Sequence, residues 1–177
     1  MENPGKIKYA TSGAGGSSHL AIEGLAAVKG ISIKHIPTKG NAETVAAILG
    51  GHVTVAAGNP VAFRPYEDAG KLKCLAQFGH KRDMNFVPDV PTFKEQGIDV
   101  VVDLWRWSVV PNSNPAERGK ILVAFLKNIL HDRPTVASME KIGCFVSYLP
   151  PEDYEKNMST SEGTITKLVK LAGLDKK

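Results

Sequence analysis

Between Ile7 and Phe78 the chain repeats one pattern: a short apolar run, a loop of small residues, then a segment with helical apolar spacing. Ile7–Thr11, Ile31–Ile36, His52–Ala57 and Leu72–Phe78 read as strands. After the first, Ser12-Gly13-Ala14-Gly15-Gly16 forms a loop. Ser17 or Ser18 can cap a helix with Leu20, Ile22, Leu25 and Val28 on one side and Gly30 as its stop. Pro37 closes the second strand, and Asn41 is a good N-cap for a helix carrying Val45, Ile48 and Leu49. Gly58-Asn59-Pro60 opens a third helix with Pro60 near its first turn, and Gly70 ends it. The alternation therefore predicts βαβ units on an open parallel sheet, an α/β domain over residues 1–79.

Other classes fail on the residues. From Thr44 to Phe63 there is no Lys, Arg, Asp or Glu, a length that would suit a bilayer span. Gly50-Gly51-His52 and Asn59-Pro60 break it, so short buried elements account for it better. The opening Met1–Lys6 lacks the basic-then-apolar order of a secretory signal, which leaves a cytoplasmic protein or one whose export signal has been removed. A net charge of +4 is mild, and Lys and Arg are scattered rather than clustered, against a nucleic-acid partner. Two cysteines, Cys74 and Cys144, make neither a disulfide framework nor a metal site, and both read as buried thiols.

Beyond Gly79 the pattern changes. His80–Pro91 is polar and holds Pro88 and Pro91, as a linker would, followed by a short helix at Thr92–Gln96. The stretch 80–98 reads as a crossover, and 99–177 as a separate group of elements. Within that group Asp99–Val110 is the most strand-like run, and Asn114-Pro115 starts a helix bearing Ile121, Leu122, Phe125 and Ile129. Another helix leads to Ile142-Gly143, Cys144–Leu149 is a short strand, and a last helix runs from Pro150-Pro151-Glu152 to about Leu171. Trp105 and Trp107 share one face of the predicted strand, and packing explains the pair better than a platform for a base.

Three loops carry the candidate chemistry: Ser12–Ser18, Thr38–Asn41 and Gly58–Pro60. In an open parallel sheet they lie at the carboxyl ends of the strands, where such folds bind ligands. Each offers free backbone N–H groups at a helix start, which favour an anion. The plainer account is that tight βα turns need glycine in any case. Gly13-Ala14-Gly15-Gly16-Ser17-Ser18 is a near miss for G-x-G-x-x-G, and the acidic residue expected about 20 positions on is absent. No G-x-S-x-G surrounds Ser12, and the five histidines lack metal-ligand spacing. No catalytic constellation survives, so binding is favoured over catalysis, with no cofactor and no metal.

At this point the residues resemble a family. Pro4-Gly5-Lys6 through Thr11-Ser12-Gly13-Ala14-Gly15-Gly16-Ser17-Ser18-His19-Leu20 is similar to the opening of the second lobe in the tripartite tricarboxylate transporter substrate-binding proteins, the TctC or Bug family. So are Ile36-Pro37-Thr38-Lys39-Gly40, Leu49-Gly50-Gly51-His52-Val53 and Ala69-Gly70-Lys71-Leu72. Pro88-Asp89-Val90-Pro91-Thr92-Phe93-Lys94-Glu95-Gln96-Gly97, Trp105-Arg106 and Pro111 resemble the family's return to its first lobe.

The resemblance implies the two-lobed architecture of type II periplasmic binding proteins, with this chain supplying one open parallel-sheet lobe and the C-terminal elements of the other. It implies a periplasmic, non-enzymatic receptor that captures a small carboxylate or related organic acid and delivers it to a membrane permease. By the same resemblance the ligand contacts fall to Thr11, Ser12, Gly13, Gly16, Ser17 and His19, to Lys39, Gly40 and Asn41, and to Asn59. Thr38 stands where many relatives carry an aromatic residue, and Asn41 where a second glycine is usual, so the ligand is left open. Family members have a whole first lobe before the point where this sequence starts. A chain without it is expected to bind weakly and to pair, as a homodimer, through the exposed faces of Asp99–Val110 and the Ile121 helix. The competing class is a small nucleotide-binding or enzymatic α/β domain using the Ser12–Ser18 loop; a sensory module that kept the fold and lost its ligand is a third.

Overall fold

A computed structural model describes residues 6–84, 86–103, 105–141 and 146–175. Its first elements are strand β1 (Lys8–Thr11), helix α1 (Ser17–Lys29), β2 (Lys34–Pro37), α2 (Asn41–Leu49), β3 (Val55–Ala57) and α3 (Pro60–Asp68). The strands form a parallel sheet in the order β2-β1-β3, so β1, first in sequence, is central. This is the α/β layer that the alternation predicts, with each strand shorter than its apolar run.

Caps differ in detail. Gly16, not Ser17 or Ser18, is the N-cap of α1, and Gly40, not Asn41, that of α2; neither helix has a side-chain cap bond. Asn59 does cap α3, its Oδ1 accepting from the Val61 amide at 3.1 Å. At the far end of α1, Gly30 takes a left-handed conformation and its amide reaches back to the last turn.

The central strand explains the core. Tyr9 and Ala10 are fully buried on opposite faces of β1, and α1 adds Leu20, Ala21, Ile22 and Ala26. Leu20 and Ile22 each contribute about 1.5–3 kcal/mol when fully buried, and the alanine methyls less. A Cβ on Gly24 would sit 2.4 Å from Leu168 Cδ2 and 3.7 Å from Val100 Cγ1, so the missing side chain is what lets these residues meet α1.

Two predicted strands are absent. Leu72–Phe78 makes only an isolated bridge, Gln77 with Thr92, because its earlier amides are taken elsewhere: Lys71 and Leu72 bond the Tyr66 carbonyl, and Cys74 bonds Glu67. Asp99–Val110 forms no strand among its described residues. Its alternation reports one-sided burial of Val100, while only the Val102 amide finds a carbonyl across, that of Phe78. The short helix expected at Thr92–Gln96 is a turn with reciprocal capping, Thr92 N to Glu95 Oε2 at 2.7 Å and Glu95 N to Thr92 Oγ1 at 3.1 Å. Gly97, at φ 75°, stops it before a second turn can form. Gln77 holds the preceding segment, its amide donating to the Val87 and Val90 carbonyls and its Oε1 accepting from Asp83 N.

The chain divides into two compact units, Met1–Leu104 with Glu162–Lys177, and Trp105–Ser161. The second contains α4 (Ala116–His131), α5 (Arg133–Lys141) and the first part of α6 (Tyr154–Leu171), which follows a 3-10 turn at Pro151–Asp153. There Trp105 and Trp107 stack at 6.0 Å, and Trp107 meets the edge of Tyr154 at 4.7 Å. The strand predicted at Cys144–Leu149 begins outside the described residues, as does Cys144 itself. Cys74 is half-buried, and burial and Glu67 push its thiol upward in pKa. No helix among the described residues is long and apolar enough to cross a membrane.

Candidate functional site

The strand register places the three loops side by side. Thr11 pairs with Pro37 on one side and with Ala57 on the other, so all three strands end at the same level. The loops before α1, α2 and α3 therefore leave one edge of the sheet together, all within the first unit.

In the first loop the Gly13 amide turns back to the Thr11 carbonyl at 2.8 Å, and the Thr11 hydroxyl donates to the Gly13 carbonyl at 3.1 Å. Gly13 and Gly15 sit at φ 100° and 77°, where a side chain would be strained. Gly16 then enters α1 with no side-chain cap, so the first-turn amides of Ser17 and Ser18 lack a carbonyl one turn earlier. Ser12 and Gly16 are exposed and Ser17 is half-buried. The Thr11 side chain is fully buried and serves the loop from below.

The second loop is tied to the first. Thr38 N and Thr38 Oγ1 both donate to the Thr11 carbonyl, at 3.0 and 3.1 Å. Thr38 Oγ1 lies 2.6 Å from Thr44 Oγ1, and both hydroxyls reach the Gly40 carbonyl. This buried threonine pair, of which Thr38 takes the position read as aromatic in relatives, fixes the loop by hydrogen bonds. Lys39 is exposed; its amide bonds Glu43 Oε2 at 2.9 Å, leaving the ammonium at the surface. Asn41 Oδ1 is buried without a hydrogen-bond partner among the described residues. It touches the third loop: a Cβ on Gly58 would lie 2.8 Å from Asn41 Oδ1 and 3.0 Å from Phe63 Cε2.

A polar aromatic cluster underlies the first loop. His19 and His35 stack with centroids 4.0 Å apart, and Tyr9 lies 4.8 Å from His35. His19 Nδ1 accepts the Gly15 amide at 3.0 Å, His35 Nε2 lies 2.8 Å from Thr11 Oγ1, and the Tyr9 hydroxyl donates to Glu23 Oε1. Burial, with Glu23 beside it, pushes the Tyr9 phenol far above its ordinary range. Burial, then the neighbouring His19, lowers the pKa of His35.

The structure thus gathers every residue named from the resemblance at or beneath one sheet edge. Ser12, Gly13, Gly16, Ser17, Lys39 and Gly40 have groups at the surface, whereas Thr11 and His19 support from below. Asn59 spends its Oδ1 on capping α3. Sequence reasoning overlooked Tyr9, Glu23, His35 and Thr44. Glu23 could have been found, since it lies one helical turn from His19. Thr44 meets Thr38 six residues earlier, whereas Tyr9 and His35 become neighbours only through the parallel register that sets them opposite each other. Beside Ser12, Ser17 and Ser18, His19 Nδ1 is taken by the Gly15 amide and His35 Nε2 faces the buried Thr11 hydroxyl. Among the described residues no cluster of His, Cys, Asp and Glu could hold a metal ion. The second unit has open depressions beside Pro134 and Met139 and between Lys127 and Glu152.

A family model described as the tripartite tricarboxylate transporter family receptor matches residues 1–171. A UPF0065 protein of Cupriavidus necator is 48% identical over 99 residues, which are 56% of this chain and 30% of that protein. A structure described as a periplasmic transporter is 29% identical with a TM-score of 0.80, covering 96% of this chain and 56% of that one. The R. palustris protein Rpa4515, solved with adipate, has a TM-score of 0.81 over 97% of this chain and 57% of its own; at 23% identity it speaks for the fold alone. The chain spans less than half the length of the curated relatives it matches.

Proposed function

The chain belongs to the tripartite tricarboxylate transporter receptor family, and from that premise we propose that it acts in a periplasmic receptor which captures a small organic carboxylate for a membrane permease. The observation that carries this reading is the common ending of three parallel strands, with an uncapped helix start and two left-handed glycines at the central one. Amides of Gly16, Ser17 and Ser18 and the hydroxyls of Ser12 and Ser17 offer donors and no negative charge. A carboxylate supplies two acceptor oxygens and an anion for the helix dipole. Lys39 adds a cation at the rim, and Gly40, Asn41 and Asn59 shape the adjoining wall. Residues 1–79 are the ligand-binding share, 80–98 the crossover, and 99–177 elements that serve another lobe. Adipate, held by a protein of the same fold, is the dicarboxylate to try first.

Calorimetry of the full chain against adipate, malate, citrate and ATP tests the reading. Heat of binding from a carboxylate, competed by a second carboxylate and unaffected by ATP, is expected. Gly58→Val, which drives a side chain into Asn41 and Phe63, is expected to weaken that binding about tenfold, about 1.4 kcal/mol. Stabilisation by ATP and by no carboxylate would return the chain to the nucleotide class. The exposed Ile121, Leu122, Val123 and Phe125 of α4 are the proposed contact of a homodimer. Light scattering should give a larger mass for the parent than for Phe125→Asp; equal monomer masses at high concentration exclude the contact.

A further inference from the structure

The His19–His35 stack sits directly beneath the loop that the receptor reading assigns to the ligand, and its hydrogen bonds depend on protonation in unequal ways. His19 Nδ1 accepts from the Gly15 amide, so the ring must carry its proton on Nε2 to make that bond. With the Thr11 hydroxyl donating to the Gly13 carbonyl, His35 Nε2 carries a hydrogen toward Thr11 Oγ1. Protonating His35 leaves its bond in place. Protonating His19 puts an N–H on Nδ1 facing the N–H of Gly15, and an acceptor becomes a second donor.

We propose that His19 is a positioning residue: neutral, it latches the Gly13–Gly16 turn in its ligand-accepting shape, and when protonated it releases that turn. The inference rests on the receptor reading for the identity of the site and adds its regulation by protons.

The titratable groups facing His19 come from its own helix and from two strands. Its own helix brings Glu23, with Oε1 3.8 Å from His19 Nε2. Strand β1 brings Tyr9, whose hydroxyl donates to the same carboxylate and stays neutral. Strand β2 brings His35, stacked at 4.0 Å, where a second positive charge is opposed. Strand β3 contributes no titratable residue. Only the His19 bond to the Gly15 amide changes sign on protonation, which sets it apart from its stacked neighbour. His19 is 6% exposed, so its charging must rearrange the turn above it rather than meet solvent in place. Gly13 and Gly15 give that turn the backbone freedom to move.

The test is a titration of the full chain from about pH 8 to pH 5, the range in which imidazoles exchange a proton. Without ligand, NMR follows the ring nitrogens of His19 and the Gly15 amide. The expected result is a neutral Nε2–H ring at the upper end, and a Gly15 amide that shifts with the same midpoint as His19. In parallel, adipate and malate affinity is expected to fall about tenfold across that midpoint, one pKa unit of coupling. His19→Gln retains an oxygen that can accept from Gly15 but cannot titrate, and should flatten both profiles. His35→Phe keeps a stacked ring without a second titratable group and should leave the Gly15 response to His19 in place. The latch is overturned if the Gly15 amide stays still while His19 titrates, if His19 does not titrate in this range, or if His19→Gln keeps the pH dependence. Should Gly15 follow His19 while neither acid binds at any pH, the latch stands and the receptor reading fails. Should both acids bind equally from pH 8 to 5 over an unmoving Gly15, the reverse holds.

Discussion

Helices α1 and α4 have similar apolar content for opposite results. Over 13 residues α1 buries His19, Leu20, Ala21, Ile22, Gly24 and Ala26, whereas α4, with 16 residues and the run Ile121-Leu122-Val123-Ala124-Phe125, buries none. The difference lies in what each helix meets. α1 is the crossover between β1 and β2, so chain connectivity alone lays it on the sheet. α4 has no such constraint; within its unit it contacts α5, and its larger apolar side chains face outward. Apolar spacing tells which side of a helix wants cover, and connectivity tells what covers it.

Leu168→Ala gives this contrast its strongest test. It removes a 5% exposed side chain from beside Gly24 and should cost about 2–4 kcal/mol in urea unfolding. Phe125→Ala on α4 should change stability by no more than about 0.5 kcal/mol. Equal losses would show that α4 is as well covered as α1. Next in size, Gly24→Val should cost about 1–3 kcal/mol by forcing Leu168 aside, while Gly119→Val on α4, with only Asn114 nearby, should cost less. If the two glycines respond alike, the close approach at Gly24 is not what holds that packing.

A polar version of the comparison follows. Thr44→Val strips one hydroxyl from the buried Thr38 pair and is expected to cost about 1–2 kcal/mol, with faster amide exchange at Thr38 and Gly40. On α5 the corresponding polar contact is exposed. The Asp132 carboxylate accepts the Thr135 hydroxyl at 2.6 Å and its amide at 3.0 Å, and these bonds hold it below the ordinary carboxylate range. A depressed pKa contributes fully above the ordinary Asp value, and the contribution is lost as pH falls through the lowered one. Thr135 amide protection should therefore hold at neutral pH and fade under acid, with little change in global unfolding. A large global loss on the same titration would mean that α5 carries more of the fold than its exposure suggests.

Much of the first unit was legible before any coordinates. Ser12–Ser18, Thr38–Asn41 and Gly58–Pro60 were identifiable as βα loops because Gly, Asn and Pro mark chain reversals by their backbone preferences. The failures share one cause. Leu72–Phe78 and Asp99–Val110 have the composition of strands, yet a strand exists only where a neighbour presents its backbone groups. The amides around Lys71 were claimed by the end of α3, and those near Val102 met a single carbonyl. No spacing links His19 to His35, so their contact is hidden until β1 and β2 pair.

What the sequence determined by itself was therefore the alternation, the small-residue loops and the absence of a nucleophile motif, all properties of local spacing. Only the tertiary structure decided that Thr11, Pro37 and Ala57 end level, that Gly58 touches Asn41, and that His35 lies against His19. Those facts depend on register between strands distant in the chain. A parallel sheet sets that register through long-range backbone pairing, which no short stretch of sequence encodes.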